Sequence, residues 1–438
     1  VKYFNQPSTQ YSSLARIGRF LANDSDLVCL SHLRWDFVYQ RPQHLLSRCA
    51  QSRRVFFIEE PVVEFVDAWW LDVSQRECGV WVVVPHLPDW VGDTLRATMH
   101  ESLINELFED HAIANPILWY YTPAALSFTA HLEASAVVYD CMDELSAFRG
   151  ASPALQELEQ SLLQRADVVF TGGQSLYEAK KHLHPNIHAF PSSIDTAHFA
   201  QARTLTDEPI DQRDIPHPRL GFYGVIDERM DLELLEGIAQ AKPDWQLVMI
   251  GPVVKIDPAQ LPQQPNIHYL GSKSYQELPH YLAGWDVAML PFARNESTRF
   301  ISPTKTPEYL AAGKPVVSTS IRDVVRPYGE QNLVQIADTV TDFVAAVAAV
   351  MQGRSREPNW LHQVDQFLTQ NSWDQTWTNM LQHIEVVLSK QSDAAYPLMA
   401  SDSHPKVNLP LPTRTPAPHR TPPSMPQTNA QTSRLGTH

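Results

Sequence analysis

Short, almost uninterrupted apolar runs alternate along this chain with helix-length amphipathic segments. Residues 26–31, 55–59, 80–85, 117–121, 136–140 and 167–171 are such runs, rich in Val, Ile, Phe and Tyr. Runs of this length without polar alternation predict strands buried on both faces, as in a parallel sheet covered by helices. A second series at 219–223, 246–251, 266–270, 286–291, 315–319 and 333–336 repeats the rhythm. Between them, 204–218 is polar and carries Pro209, Pro216 and Pro218, and reads as a linker. The predicted fold is α/β, with two Rossmann-like doubly wound parallel-sheet domains at 1–203 and 219–371. Each needs right-handed crossovers with helices on both faces. Ligands bind outside the carboxyl ends of such strands, so two facing units place one cleft between them. Beyond them, 339–351 and 360–369 have a helical period. Ser372, with Gln375 three residues on, reads as the N-cap of a last helix over 372–390 that packs back toward the first domain.

The end of the chain breaks the pattern. Residues 391–438 hold nine prolines, no Phe or Trp, four basic and two acidic residues, and predict a disordered tail. Linker, docking segment and filler are all open readings of it. Asp plus Glu number 49 and Lys plus Arg 34, a net charge of −15. Without the tail the body stands at −15 − 2 = −17. That balance argues against a nucleic-acid partner, while leaving room for a local basic pocket. No apolar run is long enough to span a membrane, and the first residues lack a secretory pattern. Cys29, Cys49, Cys78 and Cys141 form no CxxC pair, which predicts reduced thiols, no zinc site and a cytoplasmic protein. Peripheral association with the inner membrane face stays open.

The most informative stretch is Ser302-Pro-Thr-Lys-Thr-Pro-Glu308-Tyr-Leu-Ala-Ala-Gly313-Lys-Pro-Val-Val-Ser-Thr319. It reads as loop, helix, glycine stop, strand, with Pro307 in the first turn and Gly313 past the end. Lys305 lies where the helix begins, beside unpaired backbone N–H groups that suit an anion. Glu308 is one turn further and can accept the two hydroxyls of a ribose. A surface lysine and a helix-dipole glutamate are the alternative reading.

This stretch resembles the donor site of retaining glycosyltransferases of the GT-B fold, particularly the family-4 type (glycosyl transferases group 1). Glu308-Tyr-Leu-Ala-Ala-Gly-Lys-Pro-Val-Val is similar to the second half of the family's paired-glutamate pattern. The first glutamate position falls on Phe300, the nearest acid being Glu296, and Thr304 and Lys305 are the residues left to meet the donor sugar. Gly221-Phe-Tyr-Gly224-Val-Ile-Asp-Glu-Arg229 resembles the first strand and loop of the family's second domain, where a basic residue grips the nucleotide diphosphate. Arg229 is the candidate, a solvent-facing arginine the alternative. Pro252, after the next strand, resembles the nucleotide-side loop, and 266–271 with 274–291 resembles the unit that holds the base. The resemblance covers about residues 24–390. It implies a GT-B architecture, a nucleotide-diphosphate sugar as donor, a saccharide or lipid-linked acceptor, no cofactor or metal, retention of anomeric configuration, and a role in surface polysaccharide or glycolipid synthesis.

In the first unit, Arg34, Trp35, Arg41 and His44 follow the first strand and are candidates for phosphate or acceptor. The family's glycine-rich loop is missing there, and His44 reads equally as a buried histidine. Asp140 ends a strand and Asp143 lies just beyond; a carboxylate there steadies positive charge at the anomeric carbon, and the plain alternative for Asp143 is a helix cap. Asp140, Asp143, Lys305 and Arg229 are the predicted catalytic set, with Gly224, Arg229, Pro252, Thr304, Lys305 and Glu308 on the donor side. Trp69, Trp70 and Trp90 suit a membrane surface, a sugar or the core. Asp24-Ser-Asp26 precedes its strand and Asp231-Leu-Glu233 lies in a helix, so neither reads as a metal clamp. GxGxxG is absent, against a nicotinamide or flavin enzyme. Two rivals remain: a GT-B-type sugar-nucleotide epimerase or hydrolase, and a non-catalytic nucleotide-sugar-binding protein.

Overall fold

The computed structural model describes residues 25–353 and 358–395. A nine-stranded sheet contains β1 (Leu27–Leu30), β2 (Val55–Ile58), β3 (Val62–Glu64), β4 (Trp70–Gln75), β5 (Trp81–Pro88), β6 (Ile117–Tyr120), β7 (Ala136–Cys141), β8 (Val168–Thr171) and β9 (Ile187–Ala189). Its order is β3-β5-β2-β1-β6-β7-β8-β9, with β4 antiparallel on β5. A second sheet, six-stranded and all-parallel, is built of β10 (Arg219–Tyr223), β11 (Gln246–Ile250), β12 (Ile267–Tyr269), β13 (Val287–Leu290), β14 (Val316–Ser318) and β15 (Val334–Ile336). Its order is β12-β11-β10-β13-β14-β15. These are the two doubly wound units that the apolar runs predict, and every one of those runs overlaps a strand.

Side-chain parity sorts the N-terminal core into two layers. Leu27 and Cys29 face one side of β1, Val28 and Leu30 the other. The first layer is closed by the helix Trp373–Ala395, whose Trp373, Trp377, Met380 and Ile384 pack against Trp119, Phe57 and Phe170. At about 1.5–3 kcal/mol per fully buried large apolar side chain, this helix is a substantial part of a lobe it does not belong to in sequence. Ser372 Oγ accepts from Gln375 N at 3.1 Å and caps it. The helix continues through Ala395, past the expected start of the tail; residues 396–438 lie outside the described residues.

Three strands lack the continuous-run signature. β3 and β9 are three residues each, and β4 alternates polar and apolar positions because it is an edge strand with one solvated face. No helix among the described residues is long and apolar enough to cross a membrane. All four cysteines are free thiols, and only Cys78 is exposed.

Each sheet has a switch point. β1 lies between β2 and β6, and β10 between β11 and β13. The chain leaves these strands in opposite directions, opening a crevice at their carboxyl ends.

Candidate functional site

The stretch after residue 302 folds around one helix, Lys305–Ala311. Gly313 takes φ of 72° and stops it, with Gly313 N on Leu310 O at 2.9 Å and Lys314 N on Tyr309 O at 3.0 Å. That pair of bonds is a Schellman motif, open to glycine because the position is left-handed. The helix is only seven residues long, so the anion argument passes to the lysine side chain itself.

Lys305 lies across Gly224. A Cβ built on Gly224 would stand 2.1 Å from Lys305 Cε, and φ there is 137°. Gly251, with φ of 139°, repeats the device one strand over: its Cβ would strike Gly224 O at 1.9 Å. Together the two glycines let backbone and lysine converge at the carboxyl ends of β10 and β11. Glu308 is buried one turn on, and Tyr223 donates to its Oε2 at 2.6 Å. Its other oxygen takes no hydrogen bond from the described residues. Burial lowers the Lys305 ammonium below its ordinary value and raises the Glu308 carboxyl above its own, even though each pulls the other back. Burial therefore leaves the charge at this site short of solvation.

Three cavities run along the gap between the lobes. The first, about 340 Å³, is bordered by Phe37, Tyr39 and Gln40 of the N-terminal lobe and by Gly224, Pro252, Tyr275, Lys305 and Glu308 of the other. A neck of about 100 Å³ shares Gln40, Arg229, Thr304 and Lys305 with it and adds Asp143. The third, about 480 Å³, reaches from Asp143 and Arg229 to His32, Phe148 and Lys255. Lys305, Arg229 and Asp143 thus meet where the carboxyl ends of the two sheets face each other. Arg229 is forked onto Asp227, with Nε at 2.9 Å and Nη2 at 2.6 Å, and its guanidinium lies 5.5 Å from the Phe148 ring centroid. Lys255 stands 5.1 Å from the same ring, so an aromatic group of one lobe touches two cations of the other. The Asp143 carboxylate makes no hydrogen bond among the described residues. Burial lifts it to about 6, outweighing the pull of Arg229 and Lys305.

Other candidates are placed elsewhere. Asp140 is wholly buried and forked onto Arg41, with Arg41 Nε at 2.9 Å and Nη2 at 2.8 Å. This corrects the expectation that Asp140 faces the reacting sugar: on β7 it has the parity of Ala136 and Val138, whose side points into the core. Arg41 borders the neck, but its guanidinium serves Asp140 and donates to Phe190 O at 2.7 Å, so it is a structural counterion and not a phosphate ligand. His44 is 4% exposed and stacks on Trp373 at 4.5 Å, and burial lowers it to about 3. It is a core histidine. Trp35 borders the first cavity, but its ring packs edge-on to Phe57 at 5.0 Å. Arg34 pairs with Glu59 at 2.9 Å and borders none of these three cavities. Phe300 packs on the apolar layer around Leu30 and Tyr139, and Glu296 is exposed beside Arg299. Phe300 thus joins the lobes by packing, and neither residue borders the three cavities.

Tertiary folding adds partners that no local pattern announces. Tyr223 holds Glu308, and Phe148 meets Arg229. Tyr275 stacks on His198 at 4.2 Å and on Tyr39 at 4.5 Å, an aromatic seam across the lobes. Asp323 accepts from Ser175 N at 3.0 Å at the start of the helix Gln174–Lys180, and Glu178 of that helix pairs with Arg322.

Residues 217–353 match the family model described as glycosyl transferases group 1. A Bacillus subtilis (strain 168) protein named as a teichuronic acid biosynthesis glycosyltransferase, TuaH, is 28% identical over 53% of this chain and 63% of its own length. The chain thus matches under two thirds of that curated relative. Among solved structures, an E. coli trehalose-6-phosphate protein bound with UDP-2-fluoro glucose is 11% identical with a TM-score of 0.60, covering 83% of this chain and 99% of that one. Sucrose-phosphate synthase from Thermosynechococcus elongatus is 12% identical with a TM-score of 0.56, covering 86% and 100%. At such identities the structural likeness speaks for the fold. The match to glycosyl transferases group 1 over residues 217–353, the curated relative and the two-lobed fold agree, and together they support a GT-B glycosyltransferase.

Proposed function

We propose that this protein transfers a sugar from a nucleotide-diphosphate sugar to a hydroxyl of a saccharide or lipid-linked acceptor. Retention of anomeric configuration, no need for a metal ion, a cytoplasmic location and a role in surface polysaccharide or glycolipid synthesis complete the reading. The observation that carries it is the meeting of Lys305, Arg229 and Asp143 at the neck between two larger cavities. The nucleotide takes the Glu308 side, with the free carboxylate oxygen turned to ribose hydroxyls. The diphosphate lies at Lys305 and Arg229. Negative charge grows on it as the sugar–phosphate bond stretches, and Lys305, short of solvation, responds most strongly to that growth, with Arg229 beside it on Asp227. Asp143 faces the positive charge developing at the anomeric carbon, as carboxylates do for oxocarbenium-like states. The acceptor enters from the third cavity. Among the structural neighbours, the one bound with UDP-2-fluoro glucose supports a nucleotide-sugar donor.

Phe300, turned into the apolar layer where the family has a glutamate, favours one second reading: a protein that binds the donor without turning it over. Incubation with a nucleotide-sugar panel and hydroxyl acceptors, followed by NMR of the anomeric centre, separates the two. A product with the donor's anomeric configuration is expected. An inverted product contradicts retention, and donor binding without any product favours the second reading.

A further inference from the structure

A fourth cavity, about 360 Å³, lies in the N-terminal lobe at the carboxyl ends of β1 and β2. It joins the acceptor-side cavity through shared Glu60, Thr122 and Ala124. Its size is within the roughly 300–1,000 Å³ of small-molecule sites. The wall combines the ring of Phe128 and the side chain of Leu87 with Ser31, Ser127, Glu60 and His100. His100 is 4% exposed and stacks on Phe128 at 3.7 Å, yet its Nε2 is buried with no hydrogen-bond partner. A buried imidazole nitrogen left unpaired costs free energy that a ligand hydroxyl would recover. Glu60 is likewise without a hydrogen-bond partner among the described residues.

Outside the mouth, the chain past Leu87 carries Trp90, 58% exposed, whose Nε1 donates to Val66 O at 2.7 Å. Phe65 on the adjoining segment is 86% exposed, whereas Trp70, paired with His86 and stacked on its ring at 4.4 Å, lies on the face of β5 opposite Leu87. Exposed aromatics gathered in this way mark a binding surface. Their surroundings select the ligand. Asp67, Asp89 and Asp93 neighbour Phe65 and Trp90 in sequence, and Arg96, the cation in the cavity wall, is held by Asp93 at 2.9 Å and Val91 O at 2.7 Å, with its Nε buried and without a hydrogen-bond partner. Such a rim repels phosphates, uronates and anionic leaflets. Carboxylates and an unpaired imidazole inside the cavity reject an acyl chain, which would desolvate them without replacing their hydrogen bonds. Flat apolar faces beside hydrogen-bonding groups suit a neutral polyhydroxylated ring.

We propose that this cavity and its aromatic rim form a second saccharide subsite, taking neutral sugar rings of an extended acceptor whose reacting hydroxyl lies at the neck. The proposal rests on the glycosyltransferase reading and names its acceptor class. The test is an array of neutral and uronic-acid oligosaccharides probed with the full chain, beside flotation with vesicles of equal parts phosphatidylethanolamine and phosphatidylglycerol. Retention on neutral oligosaccharides is expected, weakened about tenfold by Glu60→Gln and by His100→Leu, the scale of one lost hydrogen bond to a charged or buried group. Trp90→Ala weakens the longer chains, and vesicles stay unbound. Glu60 is exposed, so Glu60→Gln keeps the test sound if His100→Leu unfolds. No retention on neutral glycans, equal retention by the variants, or vesicle binding that Trp90→Ala removes overturns the proposal. Donor-induced stabilisation is read in parallel: its absence with glycan retention intact contradicts the glycosyltransferase reading and leaves the subsite standing.

Discussion

Lys305 and Asp143 are both held away from their ordinary protonation by burial, in opposite directions. An incoming diphosphate restores the lysine's preference for its proton. Binding a nucleoside diphosphate at about pH 9, below lysine's ordinary value of about 10.4, should therefore take up protons. Calorimetry in buffers of different ionisation enthalpy measures the uptake, and Lys305→Met should abolish it. For Asp143 the folded value of about 6 lies above that of the unfolded chain. Its ionisation thus costs stability as pH rises through that window, and the cost is complete above it. Asp143→Asn should raise the melting temperature at neutral pH, lose that gain below about pH 4, and remove most of the transferase activity. A melting temperature that falls at neutral pH would show the carboxylate to be structural. At this scale local spacing and strand ends point to Lys305, Glu308 and Asp143, and the family resemblance points to Arg229. It misplaces Asp140 because a strand end announces a position, whereas parity decides the side. Position 140 repeats the parity of Ala136 and Val138, so that signal was present.

Elements follow the apolar runs closely because strands buried on both faces leave few alternatives. β4 escapes notice since a half-solvated edge strand has no continuous run, and β3 and β9 are too short to carry a period. What fastens elements together is less legible. The Arg41–Asp140 fork joins the helix Arg41–Cys49 to β7 and to the segment at Phe190. Removing one partner of a buried pair leaves the other charge uncompensated, at a cost of about 3–5 kcal/mol. Asp140→Asn should therefore lower the denaturant midpoint strongly, and Arg41→Met with Asp140→Leu should recover much of the loss. An unchanged midpoint with a slower reaction would return Asp140 to catalysis.

At the scale of the molecule, two sheets present their switch points to one gap, and the repeated rhythm of the sequence implies that arrangement. It does not show which side chains cross the gap. Phe148 against Arg229, Asp323 at Ser175 and Tyr275 between His198 and Tyr39 pair residues far apart in sequence, and no spacing encodes them. These contacts hold Asp143 of the N-terminal lobe against Lys305 and Arg229 of the other. The central claim is that this gap binds an activated sugar through those cations. Thermal unfolding of the full chain against a panel of nucleotide-diphosphate sugars tests it most directly, because a ligand at a hundred times its Kd adds about 2.7 kcal/mol to the native state. At least one such sugar should raise the melting temperature of the wild type, with Lys305→Ala losing most of the shift. No shift with any of them, or a full shift in Lys305→Ala, would contradict the account.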